Sequence, residues 1–121
     1  MIKEIRDMLG SAAATVDVSG ASTASEAFKL HARGYGVQGH WSGGSAGTVK
    51  LQGTAFEEGY ADLDPANRWA DIADTSVDMA VSTTGYLWNV YESYYSHVRI
   101  VFTTLTGTYA VRVILIEKEV Y

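Results

Sequence analysis

YLWNVYESYYSHVRIVFTTLTGTYAVRVILIEK, residues 86–118, decides the fold class. Val98, Ile100 and Phe102 share one parity, and Arg99, Val101 and Thr103 share the other. In the next run Tyr109, Val111, Val113 and Leu115 fall on one face. Alternation with a period of two is the mark of a half-buried strand, and β-branched and aromatic side chains suit its pleated surface. Thr106-Gly107-Thr108 separates the runs, and glycine supplies the backbone conformation of a tight turn. The reading predicts a β-hairpin here and an all-β chain.

Working outward, the same pattern recurs upstream. Tyr35, Val37 and Trp41 share a face, Ser42-Gly43-Gly44-Ser45-Ala46 forms a turn, and Val49 and Leu51 point inward while Lys50 and Gln52 point outward. This predicts a second hairpin. Shorter candidate strands lie at residues 14–18, 26–30, 68–72, 77–81 and 86–90. Roughly nine strands with no interior helix imply two packed layers. The predicted fold is an antiparallel β-sandwich, jelly-roll-like. Twelve glycines and one proline leave most turns to Gly, Ser, Thr, Asn and Asp. Val49, Leu51, Val98, Ile100, Phe102, Val111 and Val113 are the predicted core, with Trp88 beside them.

The first ten residues read differently. Ile2, Ile5, Met8 and Leu9 recur at helical spacing between Lys3, Glu4, Arg6 and Asp7, and Gly10 is a plausible stop. This predicts a short helical or irregular segment, residues 1–10, ahead of a sandwich domain, residues 11–121. Two turns of helix cannot hold themselves in water, so the stripe is expected to dock as an attachment or assembly element.

Composition bounds the function. At 121 residues the chain is one domain, and its 47% hydrophobic content is ordinary for a globular protein. A net charge of −5 with scattered Lys and Arg argues against a nucleic-acid partner. The absence of cysteine excludes disulfides and thiolate metal sites. No apolar run approaches the roughly 20 residues of a membrane span. Residues 1–10 lack the apolar core of a signal peptide, so synthesis and assembly in the cytoplasm are expected.

Several motifs imitate sites. Residues 34–39 match GxGxxG, but a dinucleotide fingerprint needs a helix opening on the glycines, and here alternation continues to Trp41. Residues 43–47 match GxSxG, yet a strand follows where a nucleophile elbow needs a helix. Asp62, Asp64, Asn67, Asp71 and Asp74 form an acidic cluster without EF-hand spacing, so turn formation and solvated charge are expected rather than calcium. His31, His40 and His97 show no metal-ligand spacing. No catalytic, cofactor or metal residues are therefore predicted. Among the aromatics, Tyr91, Tyr94 and Tyr95 lie in a polar turn context and are the candidate exposed contacts.

The second half of the chain resembles the small β-sandwich virion proteins of tailed bacteriophages, of the head-decoration, head-fibre or minor structural type. The likeness rests on Thr48-Val49-Lys50-Leu51-Gln52-Gly53-Thr54, on Trp69-Ala70-Asp71-Ile72, on Tyr86-Leu87-Trp88-Asn89-Val90, and on Tyr95-Ser96-His97-Val98-Arg99-Ile100-Val101 followed by Gly107-Thr108. It covers residues 35–118 and departs at residues 57–67, where this chain carries a longer acidic insert. The resemblance implies a non-enzymatic structural protein in the virion, a capsid or tail protein as partner, and a homo-oligomer, with a trimer favoured. The alternative is a carbohydrate-binding β-sandwich module with a glycan as ligand, which a row of exposed aromatics on one concave face would favour.

Overall fold

A computed structural model describes residues 2–9, 15–20, 22–25, 27–31, 34–54, 69–81, 84–90 and 95–118. Every regular element among them is a strand. In chain order these are β1 (Ile2–Asp7), β2 (Val16–Val18), β3 (Ser22–Ala24), β4 (Phe28–Lys29), β5 (Gly34–Ser42), β6 (Ala46–Thr54), β7 (Ala70–Asp71), β8 (Val77–Asp78), β9 (Gly85–Val90), β10 (His97–Thr106) and β11 (Tyr109–Lys118). They form two antiparallel sheets packed against each other as a β-sandwich.

One sheet runs β1-β11-β5-β9, with β2 also on β11; the other runs β3-β10-β6-β7, with β4 on β10 and β8 on β6. The short strands are halves of interrupted lines. β1 pairs with Ile114 to Lys118 of β11, and β2 continues along the same strand at Tyr109 to Val111. β3 and β4 divide β10 in the same way. β7 and β8 divide β6. Eleven strands thus make eight lines, four per sheet. Breaking an edge into short pieces removes a long template for pairing with another chain; β9 is the one uninterrupted edge among the described residues.

Both predicted hairpins are corrected. β5 pairs with β11 and β9, whereas β6 pairs with β10, so residues 43–45 carry the chain from one sheet to the other. Residues 107–108 make the same crossing from β10 to β11. The two crossings stack. The Ser45 N–H donates to the Thr106 carbonyl at 3.0 Å. Gly107 has φ 80°, and a Cβ added at Gly44 would lie 2.1 Å from the Tyr109 ring. Alternation survives this rearrangement because it records which side chains face inward, not which strand lies alongside.

The N-terminal helix is likewise corrected. Residues 2–7 are strand β1, in register with β11 from Ile5↔Ile116 to Asp7↔Ile114. Tertiary pairing overrides a weak local helical pattern. The segment is therefore woven into the sandwich at its sheet edge.

The predicted core is observed. Val49, Leu51, Val98, Ile100, Phe102, Val111 and Val113 are buried, joined by Tyr35, Val37, Trp41, Trp88, Tyr109 and Leu115. Trp41 and Trp88 sit 6.5 Å apart in a tilted pair, a favourable aromatic geometry. A bulge between Thr103 and Thr106, with Thr104 at φ 53°, turns Leu105 over Gly47.

Candidate functional site

One surface feature grows from the turn joining β7 to β8. Asp74 takes φ 61°, a left-handed conformation that Asp tolerates. Thr75 is buried; its hydroxyl donates to the Ile72 carbonyl at 2.7 Å and accepts from the Leu51 N–H at 3.2 Å. The Thr75 carbonyl accepts the Trp88 indole N–H at 2.8 Å. These bonds pin the turn to β6 of one sheet and β9 of the other.

A cleft lies on each side of that turn. One, of about 480 Å³, is lined by Ile72, Asp74, Tyr86, Leu87 and Asn89 among others. Tyr86 leans on Trp88 with ring centroids 5.2 Å apart and is 43% exposed. The second, of about 530 Å³, is lined by Lys50, Asp71, Asp74 and Ser76 among others.

A polar ladder crosses the outer face of this second sheet. Lys50 Nζ donates to Asp71 Oδ2 at 3.0 Å and Gln52 Nε2 to Asp71 Oδ1 at 2.8 Å. Arg99 Nε donates to Gln52 Oε1 at 2.9 Å, and its guanidinium stacks 4.5 Å from the centre of the Trp69 ring. The hydrogen bond from Gln52, then that from Lys50 and its charge, hold the Asp71 carboxyl below the usual carboxylate range. Partial burial lowers the Arg99 pKa, though a guanidinium keeps its charge. Each of these groups has a neighbour as partner, and such a network rigidifies the surface.

The structure separates the residues singled out from sequence. Ile5 projects outward and is 60% exposed, Met8 is buried in the core, and Leu9 packs against it. Ile2 lies in β1 by its backbone. Ile5 and Met8 do not share one stripe, because residues three apart fall on one face of a helix but not of an extended chain. Tyr95 is half-buried, its ring over Gly53, where an added Cβ would lie 2.5 Å from it. Tyr91 and Tyr94, and Asp62, Asp64 and Asn67 of the acidic cluster, lie outside the described residues. Asp71 and Asp74 are exposed. His97 is buried beside Ser96, while His31 and His40 are exposed. No group of three or more His, Asp or Glu among the described residues is placed to hold a metal.

Three surface residues escaped the sequence reading: Leu87, Ile114 and Ile116. All point away from the core, on the outer face of the β1-β11-β5-β9 sheet. The available signal was the unbroken run Val113-Ile114-Leu115-Ile116, apolar on both parities, which marks a strand covered on both faces.

Comparison with protein-family models, with curated proteins and with solved structures finds no match to this chain. No helix among the described residues is long and apolar enough to cross a membrane.

Proposed function

We propose that this chain is a non-enzymatic structural subunit of a bacteriophage virion, a decoration or fibre-type homo-oligomer, trimeric by resemblance, held on capsid or tail protein. The observation that carries the reading is the strand order. Numbered as eight lines, the sheets run first-eighth-third-sixth and second-seventh-fourth-fifth. Between successive lines of the described strands, every connection passes from one sheet to the other except that from β6 to β7. We read that order as jelly-roll-like, an architecture that recurs in viral capsid proteins and in lectins. Fold alone does not decide function; the resemblance over residues 35–118 directs the choice toward the virion. Peptides of this chain should be recovered from purified particles of the phage that encodes it, in amounts comparable to other structural proteins. Recovery from the infected lysate but not from the particles would overturn the reading.

The alternative, a carbohydrate-binding module, draws on one feature: the exposed Tyr86 ring shares a cleft with Asp74 and Asn89. An aromatic face beside a carboxylate and a carboxamide suits a sugar. The expected row of exposed aromatics is not found among the described residues, since Trp41, Trp88 and Tyr109 are buried and Trp69 is half-covered. Quenching of tryptophan fluorescence by oligosaccharides, abolished in Tyr86→Ala, would favour this alternative.

A further inference from the structure

The outer face of the β1-β11-β5-β9 sheet carries Ile5, Ile114, Ile116 and Leu87 among the polar residues Asp7, Gln38, His40, Asn89 and Arg112, whereas the outer face of a solvated sheet is polar throughout. Ile5 pairs directly with Ile116, and Ile114 lies two residues along β11 on the same face. Ile114 is opposite Gln38, and Gln38 is opposite Leu87. Ile5 is 60% and Leu87 50% exposed. Gly36, between Ile116 and Asn89, lets the Leu87 side chain lean toward Ile116: Leu87 Cδ1 lies 3.9 Å from where a Cβ at Gly36 would stand. The patch runs across all four strands, from β1 at one edge to β9 at the other. Contiguous exposed apolar surface of this kind marks an interaction site, and binding energy concentrates at the centre of such a site.

We propose that this face is the surface through which copies of this chain associate. The inference gives a contact surface to the homo-oligomer of the preceding reading. Two observations select a second copy as occupant. The first is charge. The chain carries −5 overall, yet among the described side chains Asp7 and Arg112, which border the patch, neutralise each other in an ion pair at 3.1 Å. Asp17 lies beyond them, opposite Ala110 near the far end of β11. Two copies can therefore meet here without the like-charge repulsion that the rest of the surface imposes. The second is size. Four strands of up to ten residues make a face roughly 33 Å by 19 Å, on the order of 600 Å² before side-chain relief. That approaches the ~800 Å² per partner of a standard interface.

The test is solution mass by sedimentation over about 1–100 μM. The wild-type chain should sediment as a multiple of its 13.1 kDa monomer. The double variant Ile5→Lys plus Leu87→Lys should sediment as a monomer, its dissociation constant raised at least about 100-fold, with unchanged β-sheet spectrum and a melting temperature that no longer rises with protein concentration. Both substituted residues are exposed, so folding is not at stake. As a control, Tyr86→Lys beside the cleft should leave the mass unaltered. A monomeric wild type at the highest concentration, or a double variant as associated as the wild type, would overturn the proposal. Recovery of the chain from particles is a separate readout, so the virion reading and this one fail independently.

Discussion

Arg6 on β1 and Glu117 on β11 form an ion pair whose carboxylate is completely buried. Arg6 Nη2 also donates to the Lys29 carbonyl of β4 at 2.7 Å, and its guanidinium lies 5.6 Å from the centre of the Phe28 ring. The second carboxylate oxygen of Glu117 accepts the His31 N–H at 2.6 Å. One charged pair thus ties the N-terminal and C-terminal strands of one sheet to an edge of the other.

Removing one partner of a buried pair leaves the other uncompensated. Glu117→Gln should lower unfolding free energy by about 3–5 kcal/mol. Replacing both, as Arg6→Met plus Glu117→Met, should cost far less or stabilise, because two desolvated charges are removed together. Urea denaturation of the wild type and the two variants checks this; equal losses in the single and double variants would contradict it.

Phe102 is fully buried at the middle of β10, among Val49, Ile100 and the aromatics of the facing sheet. Phe102→Ala should destabilise by about 3–5 kcal/mol through lost transfer energy and the cavity left behind. The expected result is a lower denaturation midpoint with an unchanged slope.

Gly85 opens β9 with φ 150°, and a Cβ there would stand 2.3 Å from the Gly39 carbonyl oxygen on β5. A backbone atom cannot step aside as a side chain can. Gly85→Ala should therefore cost roughly 3 kcal/mol and loosen β9 from β5. Amide exchange in β9 should speed up more than exchange in β10.

The lowered pKa of Asp71 sets a pH dependence. A carboxyl held below its ordinary value of 3.8 stabilises the fold above that value. The contribution is lost as pH falls through the folded-state pKa. Asp71→Asn should melt slightly below the wild type near neutral pH, and the gap should close in acid; the effect is small because Asp71 is well exposed. Tyr109 governs the opposite limb. Burial, and then the charge of Asp78, raise its phenol above 10.0, so its contribution is lost as pH rises through the folded-state pKa. Melting curves across the pH range should show a loss in acid that Asp71→Asn lacks.

Much of this architecture is legible in the chain. Period two in residues 97–118 and 34–54 identifies the long strands and their inward side chains, down to Val49, Leu51, Val98, Ile100 and Phe102. The reason is local: a pleated backbone imposes alternation whatever its neighbours are. The candidate surface is only half legible. Ile114 and Ile116 announce themselves by breaking the alternation, whereas Leu87 and Ile5 become a patch with them only through the pairings of β9 and β1.

Strand order, by contrast, is decided by tertiary structure. Gly43-Gly44-Ser45 and Gly107-Thr108 would serve a hairpin as well as a crossing between sheets, because a flexible turn does not dictate what lies beside the strands it joins. Long-range pairing settles it: β5 with β11, and β6 with β10. The same holds at the N-terminus. Residues 2–9 carry a helical spacing that no local rule rejects, and residues 2–7 become a strand because β11 offers an open edge and Glu117, 111 residues from Arg6, receives its charge. The sequence by itself determined which residues turn inward, since that is a property of each strand alone. Which strands lie side by side was determined only where distant segments met, since hydrogen bonds between sheet neighbours and a buried ion pair exist only once both partners are in place.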